Sequence, residues 1–560
     1  MGKQTAGTHV GDITNKHRGV ALFVVSLAFV MDLLDVTIVN IALPSIQTSL
    51  GASFATMQWL VAGYILTFAV LLITGGRMGD VFGYKKLFLG GIAGFTLASL
   101  LCGLATTPEM LVVARLIQGG MAALMVPQVM SLMQVMYKHE ERTKVMGLFG
   151  MLGGLAATLG PIVGGLLINA NIFGLDWRPI FLINLPIGIA ALIAGIKYLP
   201  EGKSPHPLKL DVIGTGILVV ALSLLIFPLI QGRELDWPTW ILWMLAASVP
   251  TLAIFAWYER YKDRKDKSAL VEPSLFRTHS YVSGLMVNFV LQAAMLGFFL
   301  TFTIVLQAGL GFSVINAALV GIPTAIGIGM SIALVGQKLV PLLGRYVISL
   351  GAVVAAIGFA ITAWVINANG LDVPGWLFIP GLFLSGLGMG SIMGSIFSVM
   401  LQDVDTRHAG SASGVMSAMQ QVSGALGVAL VGLIFFGNLT TGASQAFDKI
   451  TPQLDKELSA LQLPTEARLA IMTGARDCFV DQSAQKEHDH LPASCQQMSA
   501  NPTDGGEIAG KVVTAAKEAN AANFASAYNA ATVFSLGALA LTFLLSFTLP
   551  RRFKATAGHA

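Results

Sequence analysis

Long apolar runs separated by short polar segments make up most of the chain. Fourteen runs are long enough to cross a bilayer, because about 20 residues at about 1.5 Å rise each cover the hydrocarbon core. They occupy residues 19–43, 55–76, 87–105, 108–130, 145–169, 179–199, 211–231, 238–258, 281–307, 316–336, 344–366, 374–400, 409–437 and 529–549. The pattern predicts an all-α polytopic membrane protein whose two termini lie on the same side of the membrane.

Composition and charge agree with this prediction. Of 560 residues, 54% are hydrophobic and 11% are charged, whereas soluble domains are about 25% charged. Lysine and arginine gather in one set of alternate segments, and the short segments on the other side hold only Arg178 and Arg233. Basic residues mark the cytoplasmic side, so both termini are predicted to be cytoplasmic.

The first apolar run carries two acids, Asp32 and Asp35. A carboxylate at that depth costs about 2.5–3.5 kcal/mol or more, so both are expected to face protein or a water-filled cavity. Their spacing of three places them near one face of a helix. Intramembrane acids are usually functional, which predicts a transport role for at least one. The alternative is that both are inert, either protonated or paired for structure only.

The fourth run contains Arg115, followed by Gln118. Counted from the outer end of its run, Arg115 lies about 10 Å deep, while Asp32 and Asp35 lie about 20 and 24 Å from the inner side. In a core about 30 Å thick these are similar levels. Depth therefore allows an Asp–Arg pair, and the sequence leaves open whether the side chains touch.

The sequence contains two glycine motifs, one between two apolar runs and one inside a run. Residues 76–86 (GRMGDVFGYKK) hold Gly76, Asp80, Gly83 and Lys85 between the second and third runs. The glycines allow close helix approach, and Asp80 is expected to follow the second helix near the start of the third, where an acid is favoured.

The second motif, residues 160–165 (GPIVGG), lies in the fifth run. Pro161 removes a helix hydrogen bond and bends the helix, while Gly160, Gly164 and Gly165 permit close packing. The motif predicts either a packing seam or a bend that helps a helix bundle change the side to which it opens.

Residues 438–528 form the one long polar segment, on the outer side. We expect a solvated insertion with some helix and little core of its own, with residues 508–528 helical and continuous with the last run. Cys478 and Cys495 are predicted to form a disulfide, since the outer compartment is oxidising. Two free thiols are the alternative. Cys102, inside the third run, is expected to stay unpaired.

Several classes of protein are not supported. The cysteines lack zinc-site spacing, and we expect no metal, no cofactor and no nucleic-acid partner. Residues 505–511 (GGEIAGK) imitate a phosphate-binding loop, but Val512 stands where Ser or Thr should hold magnesium. No nucleophile–base pair is apparent, so an enzyme is not expected.

Five motifs together resemble the major facilitator superfamily, specifically the fourteen-helix drug–proton antiporters of the EmrB/QacA type. They are residues 34–44 (LDVTIVNIALP), 76–86, 115–120 (RLIQGG), 160–165 and 177–186 (WRPIFLINLP). The sequence departs from the family pattern at Val81 and Tyr84, where basic residues are common, at Ala156, and in the long outer segment.

This resemblance implies the major facilitator fold, with two six-helix bundles at residues 19–200 and 281–549. Residues 211–258 would form two additional helices between them. Residues 1–18, 259–280 and 550–560 would be cytoplasmic, and residues 438–528 would face outward.

The resemblance also implies a proton-coupled exporter of amphiphilic, preferentially cationic, compounds in the inner membrane of a bacterium. Asp35, Asp32, Arg115 and Gln118 would serve protons and substrate, and the glycine motifs would serve the conformational change. The expected partners are a small amphiphilic substrate, protons and the bilayer; a periplasmic partner is unknown. The alternatives are export of an endogenous amphiphile, or a membrane receptor or scaffold that presents the outer segment.

Overall fold

The fold is described from a computed structural model. It describes residues 15–137, 139–204, 209–266, 268–334, 339–404, 409–484, 492–500 and 505–551. Most of the predicted cytoplasmic ends, residues 1–14 and 552–560, therefore lie outside the described residues. Within the described ranges every long regular element is a helix.

Nineteen α-helices form this part of the chain. They are α1 (Asn15–Leu50), α2 (Phe54–Phe82), α3 (Tyr84–Gly103), α4 (Pro108–Met136), α5 (His139–Ala170), α6 (Pro179–Leu182), α7 (Asn184–Tyr198), α8 (Val212–Gln231), α9 (Thr239–Asp266), α10 (His279–Ile304), α11 (Val314–Val320), α12 (Ile322–Leu334), α13 (Val340–Leu343), α14 (Tyr346–Asn369), α15 (Ile379–Leu401), α16 (Ala409–Ala460), α17 (Thr465–Ala484), α18 (Ala493–Ala500) and α19 (Gly505–Ser546).

Polar residues at the ends of the apolar runs begin several helices. Ser53 accepts a hydrogen bond from the amide of Thr56 at the start of α2, and Thr107 accepts one from Met110 at the start of α4. Such N-caps satisfy amides that have no partner within the helix. Pro108 follows as the first residue of α4, where its missing N–H costs nothing.

The predicted fourteen runs correspond to helices, with differences in length. Thirteen described helices are long and apolar enough to span a membrane, and the apolar stretch Leu159–Ala170 lies within α5. The run at 179–199 is divided into α6 and α7, and the run at 316–336 into α11 and α12. The fold is an all-α polytopic one with the predicted membrane helices.

Most helices pack against others from the same half of the chain, while α2 also packs against α16 and α5 against α11. In the first half α1 contacts α5 and α7, while α4 contacts α2 and α3; in the second half α10 contacts α16 and α19, while α15 contacts α12 and α14. Helices α8 and α9 pair with each other, and α8 also contacts α2 and α16. Helix α8 therefore lies against both halves of the chain, and α9 packs on α8.

Contacts between the halves are found on the side that we predict to be outer. Phe54, at the start of α2, stacks on Phe436 of α16 with ring centroids 4.4 Å apart. The Gln307 amide donates to the carbonyl of Ile41 at 3.0 Å. These contacts join the halves near the outer ends of α1, α2 and α16.

The outer segment is helical, as expected, and it is more compact than expected because it forms a subdomain with a small apolar core of its own. Helix α16 continues out of the membrane, α17 and α18 fold back, and α19 returns. Their apolar side chains form a cluster separate from the main core: Ala443, Phe447, Leu454, Leu458, Met472, Ala475, Phe479, Val512, Ala515 and Ala519. Positions 443, 447, 454 and 458 share one face of α16, which is how so polar a sequence buries a core. As expected, residues 508–528 are helical and continuous with the last run.

Polar contacts and a disulfide complete the subdomain. Arg476 of α17 pairs with Asp448 of α16 at 2.7 Å, and Lys511 of α19 pairs with Glu457 at 3.3 Å. The Arg476 guanidinium hydrogen-bonds the Asp448 carboxylate and thereby lowers its pKa. Cys478 and Cys495 are bonded, with Cα atoms 4.6 Å apart.

Reduction of this disulfide should loosen α17 and α18 without unfolding the membrane helices. A loop of this length contributes about 3 kcal/mol, so amides in residues 465–484 should exchange with deuterium faster when a reductant is present. The control is the Cys478→Ser, Cys495→Ser double variant, which should exchange quickly with or without reductant. Ready labelling of both thiols in the unreduced protein would contradict the bond.

Candidate functional site: a buried polar network in the first half

Helix α1 carries both acids into the interior of the first half. The exposed fraction is 4% for Asp32 and 1% for Asp35, and it is 1% for Arg115 of α4. Charged side chains at this depth are stable only with partners. The structure supplies those partners from α1, α2, α3, α4 and α7.

The Asp35 carboxylate is fully engaged. One oxygen, Oδ2, accepts from Arg115 in a buried ion pair. The other, Oδ1, accepts from the amides of Gln118 at 2.8 Å and Asn184 at 2.9 Å. Both amides also donate to Ser99 Oγ. Asp35 therefore has a charged partner and two neutral donors, the arrangement that stabilises a buried carboxylate.

Arg115 joins the two acids indirectly. Its Nη1 also donates to Gln118 Oε1 at 2.7 Å, and its Nε donates to the carbonyl of Leu60 at 3.1 Å. Its guanidinium carbon lies 4.2 Å from the centre of the Tyr64 ring. The Tyr64 hydroxyl donates to Asp32 Oδ1 at 2.6 Å. One network thus runs from Asp32 through Tyr64 and Arg115 to Asp35.

Sequence reasoning brought four of these residues together but missed Tyr64, Ser99 and Asn184. Asn184 lies in the motif at residues 177–186, so its position was signalled without its contact. Tyr64 and Ser99 sit within apolar runs, where an aromatic ring or a small hydroxyl resembles ordinary core. Only the packing of α2 and α3 against α4 identifies them.

Asp80 lies in the last turn of α2 and not after it, so that part of the expectation was wrong, although the residue is near the start of α3. The acid accepts the Tyr84 hydroxyl at 2.9 Å. The turn itself depends on Gly83, whose φ of 100° suits glycine and not a residue with a Cβ. A Cβ on Gly76 would lie 3.6 Å from Pro127, an ordinary contact.

The basic residues of this motif hold neighbouring segments. Arg77 donates to the carbonyls of Ser268, at 2.6 Å, and Ala269. Lys85 pairs with Glu201 at 3.6 Å. Arg77 therefore fastens the end of α2 to the segment between α9 and α10, and Lys85 fastens the start of α3 to the segment after α7.

The glycine motif of α5 lies against α1. A Cβ on Gly160 would lie 1.9 Å from Thr37 Oγ1, and one on Gly164 would lie 2.6 Å from Ile38. Gly165 faces α11, with Ile315 Cα 3.2 Å from its Cβ position. Pro161 lies inside α5. The motif thus seats α5 against the helix that carries both acids and against the second half.

Protonation of one acid would change the charge interactions within the network. A proton added to Asp35 would cancel its ion pair with Arg115, and the freed guanidinium would keep only its bonds to Gln118 and Leu60. Asp32 has a hydroxyl partner and no ion-pair partner within the described residues. Among those residues no group of three or more His, Cys, Asp or Glu side chains is placed to hold a metal ion.

Comparison with known proteins identifies the family to which the chain belongs. The model of the Major Facilitator Superfamily matches residues 25–428. A probable actinorhodin transporter of Streptomyces coelicolor is 39% identical over 97% of this chain and 94% of its own length. The tetracenomycin C resistance and export protein of Streptomyces glaucescens is 32% identical over 74% of this chain and 75% of its own.

A solved structure has the same fold at low identity. The bacterial homologue of the human lysosomal transporter Spinster, in an inward-facing and occupied conformation, aligns with a TM-score of 0.59 and 16% identity. The alignment covers 97% of this chain and all of that chain.

Proposed function

Because the chain belongs to the Major Facilitator Superfamily, we propose that it exports amphiphilic small molecules across the cytoplasmic membrane of a bacterium in exchange for protons. The observation that carries the proposal is the buried Asp35–Arg115 ion pair with its Gln118 and Asn184 donors. The named relatives, a probable actinorhodin transporter and a tetracenomycin C resistance and export protein, support a drug-like substrate.

Proton uptake at Asp35 provides the coupling. The neutral carboxyl no longer attracts Arg115, so the contacts that α1 and α4 make in the two protonation states differ. A ligand can shift a conformational equilibrium only through such a difference. The glycine motif of α5 packs against both α1 and α11. It therefore transmits a movement of α1 to the contact between the first and second halves.

Asp32 serves the substrate. Its carboxylate has no cationic partner in the described part of the chain, and the Tyr64 hydroxyl holds its orientation. A cationic amphiphile is therefore favoured over an anionic one.

The motif at residues 76–86 fastens α2 to the inter-half linker and would limit how far the halves can move.

Transport in vesicles tests the proposal. The full chain is reconstituted in liposomes, and a gradient with the acidic side at the outer face is imposed on fluorescent amphiphiles that are cationic, neutral or anionic. We expect the cationic compound to move against its gradient and a protonophore to stop it. Movement of all three at equal rates, or movement unaffected by the protonophore, would contradict the proposal.

A further inference from the structure

The inner ends of the two additional helices enclose a second pair of acids. Asp211 caps α8 and is 2% exposed, and Glu259 lies in the last turns of α9 and is 3% exposed. Neither belongs to the network in the first half, and neither lies in a motif that the sequence singled out. Burying two acids together requires a compensation.

Each carboxyl has one satisfied oxygen and one without a partner. Asp211 Oδ1 accepts from the Gly214 amide and the Tyr258 hydroxyl, both at 3.0 Å. Glu259 Oε2 accepts from the Val271 amide at 2.7 Å. The other two oxygens, Asp211 Oδ2 and Glu259 Oε1, are buried and make no hydrogen bond within the described residues.

Both of those oxygens lie beside Gly214. A Cβ on Gly214 would lie 2.4 Å from Asp211 Oδ2 and 2.7 Å from Glu259 Oε1. Because both distances start from the same point, the two oxygens are at most about 5 Å apart. Two ionised carboxylates this close repel strongly, and such pairs elsewhere hold one proton between them.

The surrounding charges favour one proton. Arg77 is the cation that faces both acids from α2, and its hydrogen bonds go to the carbonyls of Ser268 and Ala269. Asp266, about two turns beyond Glu259 on α9, pairs with Lys262 at 3.3 Å. Among the described residues, Arg77 and Tyr258 interact with the pair, Asp80 and Asp266 interact with Arg77, and Lys262 pairs with Asp266.

We propose that Asp211 and Glu259 form a proton-binding site in which one carboxyl donates its O–H to the other across the Asp211 Oδ2–Glu259 Oε1 gap. With the proton the pair carries one negative charge, which Arg77 balances. Without it the pair carries two, and the two oxygens repel beside Gly214. The proton comes from water on the inner side and returns to it.

This proton fixes a junction in the fold. Glu259 holds the linker through Val271, and Arg77 holds the same linker through Ser268 and Ala269. The shared proton ties the start of α8 to the end of α9 at that point. It therefore couples the pH of the inner side to the attachment of the linker between the halves. The inference stands whether or not the protein is an exporter.

Thermal unfolding of the purified full chain at several pH values tests the site. If the folded chain keeps a proton that the unfolded chain loses above about pH 4, stability must fall as pH rises. Glu259→Gln should reduce this fall in midpoint by about half or more between about pH 5 and about pH 9. Its amide N–H can donate to Asp211 Oδ2 at any pH. Glu201→Gln, at an exposed side chain, should keep the wild-type fall.

Infrared absorption provides the second measurement. Near neutral pH the wild-type protein should show a C=O stretch from a protonated carboxyl, and both Glu259→Gln and Asp211→Asn should lose part of it while Glu201→Gln keeps it. A wild-type spectrum in both variants, with an unchanged pH dependence of unfolding in Glu259→Gln, would overturn the proposal.

Discussion

Asp35→Asn should strongly reduce proton-driven export while the protein still folds and inserts. The asparagine cannot take up a proton, so the charge change that drives the exchange is lost. Charge-assisted hydrogen bonds contribute about 1.5–3 kcal/mol, and about 1.36 kcal/mol corresponds to a tenfold change in rate. We therefore expect coupled transport to fall by a factor of about ten or more. Transport in liposomes with an imposed proton gradient measures it.

Asp32→Asn is the matched control for this variant. It lies one turn earlier on the same helix and is almost as buried, but its partner is the Tyr64 hydroxyl rather than a guanidinium. We expect it to retain proton-driven transport of a neutral compound and to lose preference for cationic ones. Full dye–proton exchange by Asp35→Asn would remove this residue from the coupling step.

Arg115→Ala should be the most destabilising single change in the network. It leaves the Asp35 carboxylate buried with only neutral donors, and removal of one partner of a buried ion pair costs about 3–5 kcal/mol. It also empties the space beneath Tyr64. Transport should be lost, and the midpoint of thermal unfolding in detergent should fall. Arg115→Lys should retain part of both, because it keeps the charge but not the planar, multiply bonded geometry.

A double variant separates charge from packing. Asp35→Asn combined with Arg115→Ala removes both charges, so it should recover much of the stability that Arg115→Ala loses while remaining inactive. Equal destabilisation in the single and double variants would mean that the loss comes from the cavity and not from the unpaired acid. Wild-type transport by Arg115→Ala would exclude it from the mechanism.

Depth along the helices was predictable, and contact was not. Counting residues from the run ends placed Asp35 and Arg115 at similar levels, because helical rise is constant. Which residues lie beside them depends on how helices rotate and cross, which is set by packing over the whole half. Asn184 and Ser99 come from α7 and α3, and no periodicity in either helix indicates that they face Asp35.

The outer subdomain shows a different limit. Its composition is polar enough to suggest a solvated segment, and its core is small and drawn from three helices. The sparse apolar positions at 443, 447, 454 and 458 carry the signal on α16, since they recur at helical spacing. Average polarity conceals such a stripe. In the sequence, Asp211 and Glu259 likewise resemble ordinary acids near helix ends, and nothing indicates that both are buried together.

Helix α16 is 52 residues long and crosses from the membrane into the subdomain without a break. At about 1.5 Å per residue it extends about 78 Å, and α19, which packs against it, is 42 residues long. The subdomain is thus a lever arm rooted in the second half. A tilt of a few degrees within the membrane becomes a displacement of several ångströms at its tip. An antibody fragment that bridged this tip to the first half should hold the protein in one state, and a pair of fluorophores there should report each change of state.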